Sequence, residues 1–329
     1  MIIFYTLILL ALIYLLIKSA DLVVDSLRKF TTLTHAKTVV VSSILLAMAT
    51  SFPELVIGVT SAIDNSPDLT LGNVIGANIA NISLVAGLSA LIAGGVIIHS
   101  NYIKREVLTA AVAALIPLLL VSDGSLSRID GILLILFYVV YTASFFKDRF
   151  LQIAQSVKSD QFAHRFISGI SPKKINIDFV VWKELLKMFI SIGFMILVAS
   201  VSVDVALNLA VLAKIPIFIV GLILLSMGTT LPELAFSIRS LKKNQPMMYF
   251  GNILGSIITN STLVLGLTSL IYPIRLSSPI ESVVAAVSFL LIFGLFWYFI
   301  KSKMRIERKE AAVLLVLYFF FVAATFFLS

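Results

Sequence analysis

Two glutamates sit inside long apolar runs, each directly after a proline: Glu54 in ATSFPELVIG and Glu233 in GTTLPELAFS. Proline lacks an N–H, and its ring clashes with the carbonyl four residues earlier. Pro53 therefore frees the carbonyl of Ala49, and Pro232 that of Gly228. The hydroxyls of Thr50, Ser51, Thr229 and Thr230 lie beside these carbonyls. The carboxyl end of a half-helix carries partial negative charge, so each break assembles carbonyl, hydroxyl and carboxylate oxygens suited to a hard cation.

Two further segments, GNVIGANIANIS (72–83) and GNILGSIITNST (251–262), add the amides of Asn73, Asn81, Asn252 and Asn260 and the hydroxyl of Ser256. Their glycines permit close helix packing. There is no cysteine, and His35, His99 and His164 fall near expected loops, so the oxygens favour calcium or sodium over zinc or copper. Each feature has a plainer reading: proline kinks shape packing, and Asn- or Gly-rich faces glue helices together. The glutamates resist that reading, because an ionisable group within a membrane costs several kcal/mol and marks function by default.

Both sets of residues recur at one offset. Glu54 pairs with Glu233 (233 − 54 = 179), and the same spacing pairs Asp25 with Asp204, Thr50 with Thr229, Pro53 with Pro232, Pro67 with Pro246, Gly72-Asn73 with Gly251-Asn252, Gly76 with Gly255, Asn81 with Asn260 and Gly87 with Gly266. The chain is two copies of one unit.

The elements that carry these residues are membrane helices. Of 329 residues, 60% are hydrophobic and 13% charged, about half the charge of a soluble domain, and the mean hydropathy is +1.08. Ten apolar runs are expected to span, near 2–20, 38–62, 70–97, 104–122, 128–146, 184–208, 215–240, 247–272, 279–300 and 310–328. Lipid cannot satisfy backbone polar groups, and unbroken apolarity excludes an alternating barrel pattern, so the expected class is an all-α membrane protein. The first run lacks a basic leader and an A-x-A-like cleavage site, and reads as a span rather than a signal peptide.

The net charge of +8 follows from basic residues gathered on one side of this layout, which places both termini outside and the central loop in the cytoplasm. The bias is a topology signal and makes no case for nucleic acid. Five spans per copy is an odd number, so the second copy enters the membrane inverted. The expected organisation is a first repeat over 1–146, a cytoplasmic connection over 147–183 and a second repeat over 184–329. Inverted repeats with interrupted helices are the architecture of secondary transporters, with the site near the midplane. The first and sixth spans are the expected moving gates, and FLQIAQSVKSDQFAHRFISGI in the connection is a candidate interfacial helix.

At ATSFPEL…GNVIGANIAN and GTTLPEL…GNILGSIITN the sequence resembles the sodium/calcium exchanger family, whose two repeats carry G-T-S-x-P-E followed by G-N-x-x-G-S-N-x-x-N/D. The resemblance implies a central calcium site at Glu54 and Glu233 with Thr50 and Thr229, and flanking sodium sites using Ser51, Thr230, Ser256, Asn81 and position 77. It departs at Ala77, where relatives carry Ser, and at Asn260, where many carry Asp, which argues against potassium cotransport. The implied activity is alternating-access exchange of Ca2+ for Na+, electrogenic because two carboxylates neutralise one Ca2+ but leave three Na+ with a net positive charge. Proton-coupled antiport of Ca2+ or another divalent cation is the alternative. The ions are substrates: no cofactor, enzymatic role or obligate protein partner is expected, and the host is a plasma or bacterial inner membrane. A channel would use the same oxygens without the paired breaks, an intramembrane protease uses aspartates, and a scaffold has no use for buried glutamates.

Overall fold

The computed structural model describes residues 1–33, 51–97, 101–156, 179–277, 279–303 and 305–328. Its architecture is helical: α1 (Ile2–Leu33), α2 (Phe52–Ile63), α3 (Pro67–Ala93), α4 (Asn101–Leu120), α5 (Arg128–Ser156), α6 (Phe179–Ala213), α7 (Ile217–Lys242), α8 (Pro246–Ile271), α9 (Pro279–Lys303) and α10 (Arg308–Leu328). Among the described residues seven helices are long and apolar enough to cross a membrane, and Ile2–Leu16 and Phe52–Ile63 are shorter apolar stretches.

Helix ends follow local chemistry more than the limits of the apolar runs. Pro67 and Pro246 open α3 and α8, where a missing N–H costs nothing. Gly94 closes α3 at φ 83°, a left-handed turn that a side chain would strain. Three helices outrun the expected spans: α1 continues to Leu33, α5 to Ser156, and α6 begins at Phe179, so part of the connection placed at 147–183 is helical. Hydropathy marks the segment that lipid must surround, whereas a helix continues for as long as its residues tolerate one. Most of the candidate interfacial helix lies outside the described residues.

Two small ribbons tie the helix ends. β1 (Val96–Ile97) pairs antiparallel with β4 (Arg305–Ile306), and β2 (Ser125–Leu126) with β3 (Ile274–Arg275). The registers Val96↔Ile306 and Leu126↔Ile274 match each other, with all four of these side chains buried, as do Ile97↔Arg305 and Ser125↔Arg275. Each ribbon joins one strand from each half of the sequence. The helices that follow are capped alike: Asp130 accepts the Ser127 N–H at 2.8 Å, and Glu310 accepts the Glu307 N–H at 2.8 Å.

Helix packing repeats the same symmetry. α1 and α6 lie against one another; α5 packs on the end of α8 and α10 on the end of α3; α4 packs on α8 and α9 on α3. The centre is a seam between α3 and the start of α7, where Gly72, Gly76 and Gly221 let two backbones touch. A Cβ on Gly72 would meet the Phe218 carbonyl oxygen at 2.0 Å, one on Gly76 the Leu222 oxygen at 2.0 Å, and one on Gly221 the Leu69 oxygen at 2.1 Å.

Candidate functional site

Both prolines stand at the start of a helix. α2 is preceded by Ser51 at φ −87°, ψ 9°, and α7 is interrupted at Thr230 at φ −82°, ψ −1°, so both positions sit in the bridge region and both prolines lie in the first turn of the helix that follows. Beyond both positions the helix opens identically: the Leu55 N–H bonds the Ser51 carbonyl and the Leu234 N–H the Thr230 carbonyl, each at 3.0 Å. This places Glu54 and Glu233 in the first turn of a new helix, both with no solvent exposure.

α3 and α8 add a second distortion. Their α-helical ladders widen to π-helix over Asn81–Val85 and Thr259–Val264. A π segment carries an extra residue in the turn and re-aims side chains, and such segments concentrate at functional sites. Asn81 and Asn260 stand at the openings of these segments, each with no solvent exposure.

The result is a buried cluster of polar atoms with few internal partners. The two carboxylates interact electrostatically, and the Thr229 hydroxyl lies beside Glu54. Ser256 Oγ donates to Glu233 Oε1 at 3.4 Å. Both oxygens of Glu54, Glu233 Oε2, both amide atoms of Asn81 and of Asn260, and Ser51 Oγ are buried without a hydrogen-bond partner among the described residues. Buried polar groups are normally satisfied, and charged ones above all, so this concentration marks a place built for a polar guest. Among the described residues no group of three or more His, Cys, Asp or Glu side chains gathers, so any cation held here relies on two carboxylates and neutral oxygens.

The hydroxyls point the right way for that task. Thr230 Oγ1 donates to the carbonyls of Ser226 at 2.9 Å and Met227 at 3.2 Å, and Thr229 Oγ1 to Asn73 Oδ1 and to the Ser226 carbonyl, each at 3.4 Å. With its proton committed, a hydroxyl keeps its lone pairs for a cation. Of the nine residues expected from sequence, Glu54, Glu233, Ser51, Thr229, Thr230, Asn81, Asn260 and Ser256 are all buried, and Thr50 lies outside the described residues.

Supporting contacts were less visible in the sequence. Asn73 accepts from Thr229, and Asn252 Nδ2 donates to the Glu233 carbonyl at 3.3 Å and to Ser237 Oγ at 3.3 Å. These repeat-related asparagines hold the break residues in place. Ser226 and Ser237 carry no motif signal, and the π segments leave no mark in composition. α1 seals the second break: a Cβ on Gly228 would meet Ile13 Cγ2 at 2.3 Å.

The chain is 29% identical to the inner membrane protein YrbG of Escherichia coli over 71% of this chain and 70% of that one. It is 26% identical to the sodium/calcium exchanger MaX1 of Methanosarcina acetivorans, across 98% of this chain and 99% of that one. Its fold matches structures of the sodium-calcium exchanger NCX_Mj, one of them soaked with Na+ and Sr2+, at a TM-score of 0.64 and 25% identity over 98% of this chain and 99% of that one. The sequence profile of the sodium/calcium exchanger protein family matches residues 4–147 and 184–327. An all-helical architecture with membrane-length apolar helices, a buried carboxylate pair in the first turns of two repeat-related helices and this match over most of its length converge: the chain is an integral membrane transporter of the sodium/calcium exchanger family.

Proposed function

We propose that the chain is a secondary antiporter that exchanges Ca2+ for Na+ by alternating access, with Glu54 and Glu233 as the central ligands. One observation carries the reading: two carboxylates and two amides, repeat-related and fully buried, leave every side-chain oxygen and nitrogen except Glu233 Oε1 without a hydrogen-bond partner among the described residues. Thr50, Thr229, Ser51, Thr230 and Ser256 complete the ligand set. The relative named a sodium/calcium exchanger, aligned across almost the whole chain, supports sodium as the coupling ion.

The proposed organisation is ten spans in two inverted repeats, 1–146 and 184–329, with both termini outside and the connection in the cytoplasm. The matching ribbons, caps and helix contacts support two equivalent units. α1 and α6, packed on one another and with Ile13 against the second break, are the proposed moving gates. With two carboxylates in the site, one Ca2+ is neutralised and three Na+ leave a net positive charge, so exchange carries current. A site emptied of cations holds unpaired charge that resists occlusion in a low-dielectric interior, which enforces exchange over leak.

The test is 45Ca2+ uptake into proteoliposomes loaded with Na+, K+ or acidic buffer. Uptake should require the outward Na+ gradient, accelerate when the interior is made positive, because each cycle carries one net positive charge out, and fall to background in Glu54→Gln and Glu233→Gln. Uptake driven by the proton gradient would transfer the coupling to H+, and uptake driven by neither gradient would remove calcium as substrate.

A further inference from the structure

Asn78 and Ser261 form a buried polar tie between the two halves. Asn78 Nδ2 donates to Ser261 Oγ at 2.8 Å, and the two residues are 4% and 1% exposed. Asn78 precedes Asn81 by three positions on α3, and Ser261 follows Asn260 within the widened turn of α8. Neither residue is repeated. At the offset relating the halves Asn78 corresponds to Ile257 and Ser261 to Ile82, both fully buried. An otherwise matched pair of positions is thus polar on one side and apolar on the other.

That contrast separates cohesion from placement. Isoleucines fill the equivalent positions, so burial here does not require a hydrogen bond. The polar pair also leaves Asn78 Oδ1 without a partner among the described residues, which costs about 1–3 kcal/mol when a buried acceptor goes unmet. A bond retained at such a cost is better explained by direction than by stability. Ser261 lies within a π segment and Asn78 one turn before another, and in such segments the regular i→i−4 ladder no longer fixes side-chain register.

We infer that the Asn78–Ser261 hydrogen bond is a positioning contact, which holds the Asn81 and Asn260 amides in register with Glu54 and Glu233 and thereby sets the cation affinity of the site. The inference rests on the proposed cation site.

Ser261→Thr and Ser261→Val introduce nearly the same volume and differ in the hydroxyl alone. In Na+-driven 45Ca2+ uptake, Ser261→Val should raise the half-saturating Ca2+ concentration about fivefold over Ser261→Thr, as expected for a hydrogen bond of about 1 kcal/mol. Maximal rate should be alike in the two, while Tm falls modestly in Ser261→Val because Asn78 Nδ2 loses its acceptor. Equal half-saturation, or a difference confined to Tm, would overturn the positioning role. If the branched side chains prevent folding, as judged by size-exclusion chromatography, the same readings on Ser261→Ala against the wild type decide by the same criteria. Failure of the cation-site reading would show in the wild type itself, whereas failure of this inference would show only in the variants.

Discussion

At the residue scale the distinction that matters is between side chains offered to an ion and side chains that hold them. Asn252 belongs to the second kind: its amide nitrogen bridges the Glu233 carbonyl and Ser237. Asn252→Leu removes both bonds and should raise the half-saturating Ca2+ concentration about tenfold, the equivalent of about 1.4 kcal/mol, in 45Ca2+ uptake. Asp64, at the end of α2, gives a contrasting test. Partial burial, and then the charge of Asp204, push its carboxyl above the usual range. Its ionised form is therefore disfavoured in the folded chain, and the stability present at low pH is lost as pH rises through the raised value. Asp64→Asn should increase Tm at neutral pH and leave it unchanged well below the ordinary carboxylate range, measured by thermal scans across pH. The proposed ligand carboxylates stood out because carboxylates in apolar runs are costly and these recur in register. Ser226 and Ser237 did not: Ser226 acts through its main-chain carbonyl while its hydroxyl bonds its own helix, and only the fold reveals that the Ser237 hydroxyl accepts from Asn252.

At the scale of elements, the proline breaks were written in the sequence and the π segments were not, because a proline acts through its own ring while a widened turn reflects the packing around it. The glycine seam was half legible. The G-N-x-x-G spacing announced close packing, but the partner surface at Phe218–Leu222 emerges only when α3 meets α7. Gly76→Ala drives a methyl to 2.0 Å from the Leu222 carbonyl oxygen, a backbone atom that cannot turn aside, and to 2.5 Å from Ser226 Oγ. It should lower Tm by several degrees in detergent, consistent with an overpacking cost of about 1–3 kcal/mol. Gly193→Ala, on an exposed face of α6 with nothing within 4 Å, should leave Tm unchanged or raise it, since alanine favours a helix by up to about 1 kcal/mol.

At the scale of the whole molecule, the count of apolar runs anticipated the helical class, and the offset between the motifs is the basis for the proposed pair of repeats. It did not anticipate how the halves grip one another. At about 1.5 Å per residue, α1 and α6 run to about 48 and 52 Å, well beyond a hydrocarbon core of about 30 Å. The apolar runs understated these helices because only the lipid-facing part must be apolar. The ribbons have a consequence for the gene as well as for the protein. Every strand pair, the α1–α6 contact and the packing of α5 on α8 and of α10 on α3 cross from one half to the other. The halves therefore meet through surfaces that do not depend on a peptide bond joining them. Encoded as separate polypeptides, 1–156 and 179–329 should co-purify through a tag on one of them and regain exchange when co-expressed, while neither alone does so. A transporter assembled in this way is, in its contacts, a heterodimer whose two genes have been fused.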